Sequence, residues 1–140
     1  MADETNQLRV RLVTPERTLF EHPATAVELP AKNGYMEVLY GHAPLVAELG
    51  AGDVTLHGGP DGDEKYNVSW GFVEVLPDRV TILAADALKP GEINAPRAQE
   101  QLDRGQKMWK DAGDSEEAYT RALHVIAEAE AKLATAAEKH

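Results

Sequence analysis

The residues able to do chemistry in this chain are few and dispersed. Cysteine is absent, which excludes thiol catalysis, disulfides and thiolate zinc sites. Two serines occur, Ser69 and Ser115. Ser69 precedes Trp70-Gly71 inside a strand-like run, with no nucleophile elbow around it. His22, His42 and His57 are scattered and lack the short spacing of a metal-ligating pair. His42, between Gly41 and Ala43-Pro44, reads as a loop histidine bonded to backbone. Asp61, Asp63 and Glu64 lie close together, but on a Gly- and Pro-rich tip they read as a solvated charge cluster without the full calcium-ligand pattern. With no nucleophile, metal cluster or converging acid pair, the chain is expected to have no catalytic residue, no metal and no cofactor, and not to be an enzyme.

Composition narrows the partners. The chain has 140 residues, 43% of them hydrophobic, which suits one ordinary domain or a small domain with an extension. Its formal net charge is −10. Up to Gly91 there are seven Lys and Arg against fourteen Asp and Glu, and beyond it seven against ten. Neither part has the basic excess that neutralises phosphates, so no nucleic-acid partner is expected. An acidic membrane surface would repel the first part. No apolar run approaches the ~20 residues of a membrane span, so no direct membrane insertion is expected. The acidic, polar start Met1-Ala-Asp-Glu does not read as a secretory signal, and a soluble chain in the cytoplasm is expected.

Two kinds of structure must position what chemistry there is. Before Pro90-Gly91 the chain reads as sheet. Leu8, Val10 and Leu12 alternate with polar neighbours, as a half-buried strand does. Asn33-Gly34 predicts a hairpin turn, and so does Pro77-Asp78 between Phe72–Leu76 and Val80–Leu83. Gly50-Ala-Gly52 separates Leu45–Leu49 from Val54 and Leu56, and Tyr66, Val68 and Trp70 share one strand face. Eight to ten short strands without an intervening helix predict an antiparallel sandwich or flattened barrel. After Pro90-Gly91 come two helices. Asn94 caps the first, with Pro96 in its first turn, and Asp114 caps the second, with Glu117 completing a capping box. The second helix carries a stripe of Ala118, Ala122, Val125, Ala129, Leu133 and Ala136. Alanine favours helix but buries little area, so this hairpin is intrinsically helical and loosely held.

Three segments resemble a known family: Val13-Thr14-Pro15-Glu16, Gly41-His42-Ala43-Pro44-Leu45-Val46, and Trp70-Gly71-Phe72-Val73-Glu74-Val75 running on to Val80-Thr81-Ile82-Leu83-Ala84. Their order and spacing, with the trailing hairpin, are similar to the ε subunit of bacterial F-type ATP synthase. The resemblance implies an α+β, mainly β, fold: a β-sandwich of about ten strands over residues 1–88, a hinge at 89–92 through Lys89, Pro90 and Gly91, and a helical hairpin over 93–140. It implies a non-catalytic rotor subunit at the cytoplasmic face of the bacterial plasma membrane, part of the ATP synthase complex. The sandwich would bind the γ subunit and the c-ring, through Tyr35, Glu37, His42 and Trp70. The hairpin would extend along γ into the α/β catalytic head and inhibit ATP hydrolysis, through Arg104, Lys107, Lys110, Arg121 and Lys132. Their alternative role is routine pairing along one helix, as for Glu100 with Arg104 and Glu128 with Lys132. Some family members bind ATP in the compact state. The corresponding residues here are Ile93, Asn94, Arg97 and Ala98, with Arg121 and Lys132 on the second helix. Asn94 replaces an acid, Pro96 takes a position that is usually not proline, and Glu128 and Glu130 flank Lys132, so ATP binding is expected to be weak or absent. The family usually has Gly-Gly where Trp70-Gly71 stands, and a glycine is common at Glu37. The competing reading is a stand-alone ATP-sensing or small-ligand-binding β-sandwich module.

Overall fold

The computed structural model describes residues 7–138. Among them are seven strands: β1 (Leu8–Val13), β2 (Thr18–Ala24), β3 (Ala26–Ala31), β4 (Gly34–Leu39), β5 (Leu45–Gly59), β6 (Gly62–Leu76) and β7 (Arg79–Leu88). A 3₁₀ turn (Pro90–Glu92) then leads to α1 (Ala95–Asp111) and α2 (Glu116–Glu138). The chain divides into two units, Met1–Lys89 and Pro90–His140.

In the first unit the strands form one hydrogen-bonded sheet in the order β2-β1-β7-β6-β5-β3-β4. All neighbours are antiparallel except β1 and β7, which run parallel with Val10 opposite Val80 and Leu12 opposite Ile82. The alternating residues fill a single core. Leu8, Val10, Leu12, Val27, Leu29, Val38, Val54, Leu56, Val68, Val73, Val75, Val80 and Ile82 are all fully buried in it. The result is the expected β-sandwich, with seven strands in place of eight to ten.

The smaller strand count has a local cause. β5 and β6 are each 15 residues long, and neither ends at the glycines that read as breaks. Instead they roll over. In β6, where Asn67 and Ser69 are buried as well, the buried apolar set changes from Tyr66 and Val68 to Val73 and Val75, and in β5 from Leu49 to Val54 and Leu56. β7 changes likewise, from Val80, Ile82 and Ala84 to Ala87. Pairing between these strands keeps its register through the change, with Leu49 opposite Gly71 and Gly71 opposite Ala84. The pivot is Trp70, which has φ 60, followed by Gly71 at φ 127. A left-handed residue reverses the side-chain alternation, and for a non-glycine it costs roughly 1–2 kcal/mol. Trp70 is only half-buried, where Tyr66 and Val68 are buried. A side chain at Gly71 would collide with the Leu83 carbonyl, so glycine is required there.

The second unit is an α-helical hairpin. Asn94 caps α1, its Oδ1 accepting from the Arg97 N–H at 3.0 Å, with Pro96 in the first turn. Ala112 and Gly113, at φ 58, close α1. The cap of α2 is Ser115 and not Asp114: Ser115 Oγ accepts from the Ala118 N–H at 3.1 Å, and the Ser115 carbonyl accepts from the Tyr119 N–H at 3.0 Å. The helix starts one residue later than its acidic flank suggested, and Glu116 and Glu117 fill its first turn. The helices approach closely at Gly105, where an added methyl would lie 2.8 Å from Ile126 Cγ1. The Gln101 side chain donates to the Val125 carbonyl at 3.3 Å. The buried residues of α2 are Ala122, Ala129 and Thr135.

Candidate functional site

The residues expected at a partner interface are distributed over several elements. Tyr35 and Glu37 are exposed on the edge strand β4. Tyr35 lies across the sheet, its hydroxyl accepting from the Asp53 N–H at 2.9 Å. Glu37 is the register partner of Glu28 on β3. His42 sits in the β4–β5 loop with Nδ1 2.7 Å from the Ala43 carbonyl, which requires a proton on that nitrogen. Trp70 lies three strands in from β4, at the rolled point of β6.

A different surface stands out on the first unit. Val46, Phe72 and Leu83 are 68%, 53% and 50% exposed. They lie on three adjacent strands: Phe72 is directly opposite Leu83, and Val46 is opposite Glu74, two residues along from Phe72. Val13, opposite Leu83 on β1, continues the band. Beside it Val13, Thr14, Pro15, Gly71, Leu83, Ala84 and Ala85 line a shallow depression. Glu48, opposite Phe72, and Glu74, opposite Val46, edge this apolar band on the outer face of the sheet, and exposed apolar side chains grouped in this way are a candidate surface for packing. Sequence reasoning missed it because the direction of Phe72 depends on the roll at Trp70. The signal was present in the alternation after that point: with Val73 and Val75 inward, Phe72 must face out.

The expected phosphate-binding residues do not form a cradle. Asn94 Oδ1 is engaged in capping, Ala98 is buried, Ile93 is half-buried and Arg97 is exposed. Arg121 shares a shallow depression with Glu116, Glu117, Thr120 and His124, so two carboxylates line it beside the guanidinium. Lys132 Nζ pairs with Glu128 at 2.7 Å. Arg121 and Lys132 are separated by three turns of helix, about 16 Å at 1.5 Å per residue. Arg104, Lys107 and Lys110 are exposed on α1. Of the two expected helical pairs, Glu128–Lys132 is formed.

Ser69 is buried in β6 and Ser115 is committed to a helix cap. No group of three His, Asp or Glu side chains among the described residues is placed to hold a metal. No described helix is long and apolar enough to cross a membrane.

Known proteins resemble this chain throughout. Residues 7–90 match the family described as ATP synthase, Delta/Epsilon chain, beta-sandwich domain. The chain is 44% identical over 105 residues to the ATP synthase epsilon chain of Koribacter versatilis, covering 73% of this chain and 71% of that one. It is 40% identical over 133 residues to the ATP synthase epsilon chain of Solibacter usitatus, covering 94% and 97%. A chain in the mitochondrial ATP synthase of Euglena gracilis, in a structure comprising OSCP, F1 and the c-ring, shares the fold with a TM-score of 0.76 at 21% identity, over 96% of this chain and 82% of that one.

Proposed function

The chain belongs to the ATP synthase epsilon-chain family, and from that premise we propose that it is a non-catalytic central-stalk subunit whose sandwich docks and whose hairpin regulates. The observation that carries the docking half is the exposed band of Val46, Phe72 and Leu83, on a unit with no catalytic arrangement among its described residues. In this reading the band packs against the γ subunit, and the acidic edge at Tyr35 and Glu37 faces the c-ring, with His42 and Trp70 shaping the sandwich between them. The complex holds the chain peripherally at the cytoplasmic face of the plasma membrane, where it takes part in proton-driven ATP synthesis.

The regulatory half rests on the hairpin. Its fully buried residues are only Gly105, alanines and Thr135, though Ile126 and Val125 face Gly105 and Trp109 pairs with Tyr119, so the helices can change partners at a modest cost in buried area. Lys89, Pro90 and Gly91 are the hinge, and Arg104, Lys107, Lys110, Arg121 and Lys132 present cations to the acidic surface of the α/β head when the hairpin extends. ATP has no controlling role in this reading, because Asn94 is spent on a cap and Arg121 lies among carboxylates. Reconstitution tests it. Removing residues 92–140 should leave assembly intact and raise ATP hydrolysis by the F1 complex. Unchanged hydrolysis would remove the inhibitory role, and failed assembly would remove the division of labour between the units.

A further inference from the structure

The outer face of the sandwich holds a histidine between two carboxylates that are far apart in sequence. His57, on β5, has Nε2 2.8 Å from Glu28 Oε1 on β3 and Nδ1 3.0 Å from Asp63 Oδ2 on β6. The other Asp63 oxygen, Oδ1, accepts from the Gly58 N–H at 3.0 Å. Gly58 has φ +70, and a side chain there would collide with Thr25, so the tip between β5 and β6 turns on a residue that must be glycine. Thr25 pins the backbone just before it: its N–H and its Oγ1 both donate to the His57 carbonyl, at 2.8 and 3.0 Å.

We propose that His57 is a proton-operated clasp for this tip: charged, its ring holds Glu28 and Asp63 together, and neutral, it holds only one of them. Ionised carboxylates only accept hydrogen bonds, and a neutral imidazole has one N–H. Both contacts therefore exist together only in the imidazolium form. When the proton leaves, Glu28 keeps the remaining N–H, because its contact is shorter and it sits within a strand paired on both sides. Asp63, 63% exposed at the tip, then faces a lone pair and turns away, and the Gly58 amide loses its cap. The backbone of His57 stays in place, because Thr25 holds its carbonyl whatever the ring's charge.

The charged surroundings favour the closed, protonated form. Beside Glu28 stands Glu37 of β4, its register partner. On β5 and β6, Asp53 lies 3.9 Å from Lys65 Nζ. From β2, His22 approaches Gly59 and lies 3.7 Å from Glu64, which also accepts from the buried Tyr66 hydroxyl at 2.8 Å. Burial and that bond push the Tyr66 phenol up to about 12, which keeps it protonated as the bond's donor over the range in which histidines titrate. Carboxylates outnumber cations around the ring. The bond to Glu28, and then that to Asp63, raise the His57 pKa above 6.5, against some loss from desolvation. The Gly58 N–H, and then His57, hold the Asp63 carboxyl below 3.8. The signs give a window. The histidine's contribution is complete below 6.5 and is lost as pH rises through its raised folded value. The aspartate's contribution is present above 3.8 and is lost as pH falls through its lowered value. The clasp is closed between those limits and opens on the alkaline side.

An NMR titration of the full chain tests the clasp without any variant that threatens the fold. The His57 ring resonances should titrate with a midpoint above 6.5, and the Gly58 amide should move with the same midpoint. Asp63→Asn should lower that midpoint and abolish the Gly58 transition, while leaving the His22 resonances in place. Glu28→Gln should lower the midpoint further. A His57 midpoint at or below 6.5, a Gly58 amide that ignores it, or a midpoint unmoved by Asp63→Asn would each overturn the proposal.

Discussion

The sandwich and the hairpin are held together by different kinds of contact. In the sandwich, Leu8, Leu12, Leu29, Leu56, Ile82 and eight valines are fully buried. Each such side chain contributes about 1.5–3 kcal/mol relative to exposure, so the core supplies tens of kcal/mol before chain entropy is counted. In α2 the buried residues are Ala122, Ala129 and Thr135, and α1 adds Ala98 and Gly105. Removing an alanine methyl from water contributes about 0.8 kcal/mol. One unit is therefore fixed by what it buries, while the other is helical by propensity and only lightly held by its contacts. That division suits the proposed role, in which a docked part must not yield and a regulatory part must be able to.

The same substitution placed in each unit tests this contrast most severely. Gly71→Ala puts a methyl into the Leu83 carbonyl at a φ of 127. The obstacle is backbone in the middle of a sheet, so the cost should reach about 3 kcal/mol or more and loosen the whole sandwich. Gly105→Ala meets Ile126 Cγ1 and Val125 Cγ1 at 2.8 and 3.0 Å, with the Ile126 backbone N at 3.2 Å, and sets an overpacking cost of about 1–3 kcal/mol against a gain of about 1 kcal/mol in helix propensity. Its net cost should stay below about 2 kcal/mol. Thermal unfolding followed by circular dichroism reads both. Equal losses at the two sites would mean that the hairpin is packed as tightly as the sandwich.

A second test separates what the sandwich buries from what it shows. Phe72→Asp places a charge in the exposed apolar band, so the isolated chain should keep its stability within about 0.5 kcal/mol. Binding to the γ subunit should weaken by about 2–4 kcal/mol, roughly 30-fold or more, as for a buried aromatic anchor. A variant that unfolds would place Phe72 in the core. One that binds γ normally would move the docking surface elsewhere.

These two sites also mark how far the sequence could be read. Local signals were legible: alternation located β1, Asn33-Gly34 and Pro77-Asp78 located hairpins, and Asn94 located the start of α1. Signals that depend on a partner were not. Gly50 and Gly52 have the composition of a break, yet the strand continues because its neighbours stay in register through the roll. The parallel pairing of β1 with β7 joins segments too distant in sequence for any periodicity to report. Trp70 hid the roll, since a bulky residue at positive φ is what sequence rules expect least. The outward Phe72, and with it the apolar band, stayed hidden for the same reason. Asp63 read as a solvated charge because its partner His57 reaches it only across the β5–β6 pairing.

The smallest expected effect lies where the hairpin turns. Asp114 and Ser115 are adjacent, and both are good capping residues, so sequence preference alone does not separate them. Geometry does: Ser115 Oγ accepts from the Ala118 N–H, and the helical bonds begin from the Ser115 carbonyl. Ser115→Ala should therefore cost about 1 kcal/mol, felt as fraying of the first turn of α2. Asp114→Ala should cost only the few tenths due to a carboxylate near a helix N-terminus. Amide exchange at Ala118 and Tyr119 distinguishes them, because the loss is local. If the contrast between the units is right, neither change should alter exchange in the sandwich core, since the hairpin's stability is set turn by turn and not by a shared interior. Faster exchange at Val68 or Val73 in Ser115→Ala would show instead that the two units unfold together.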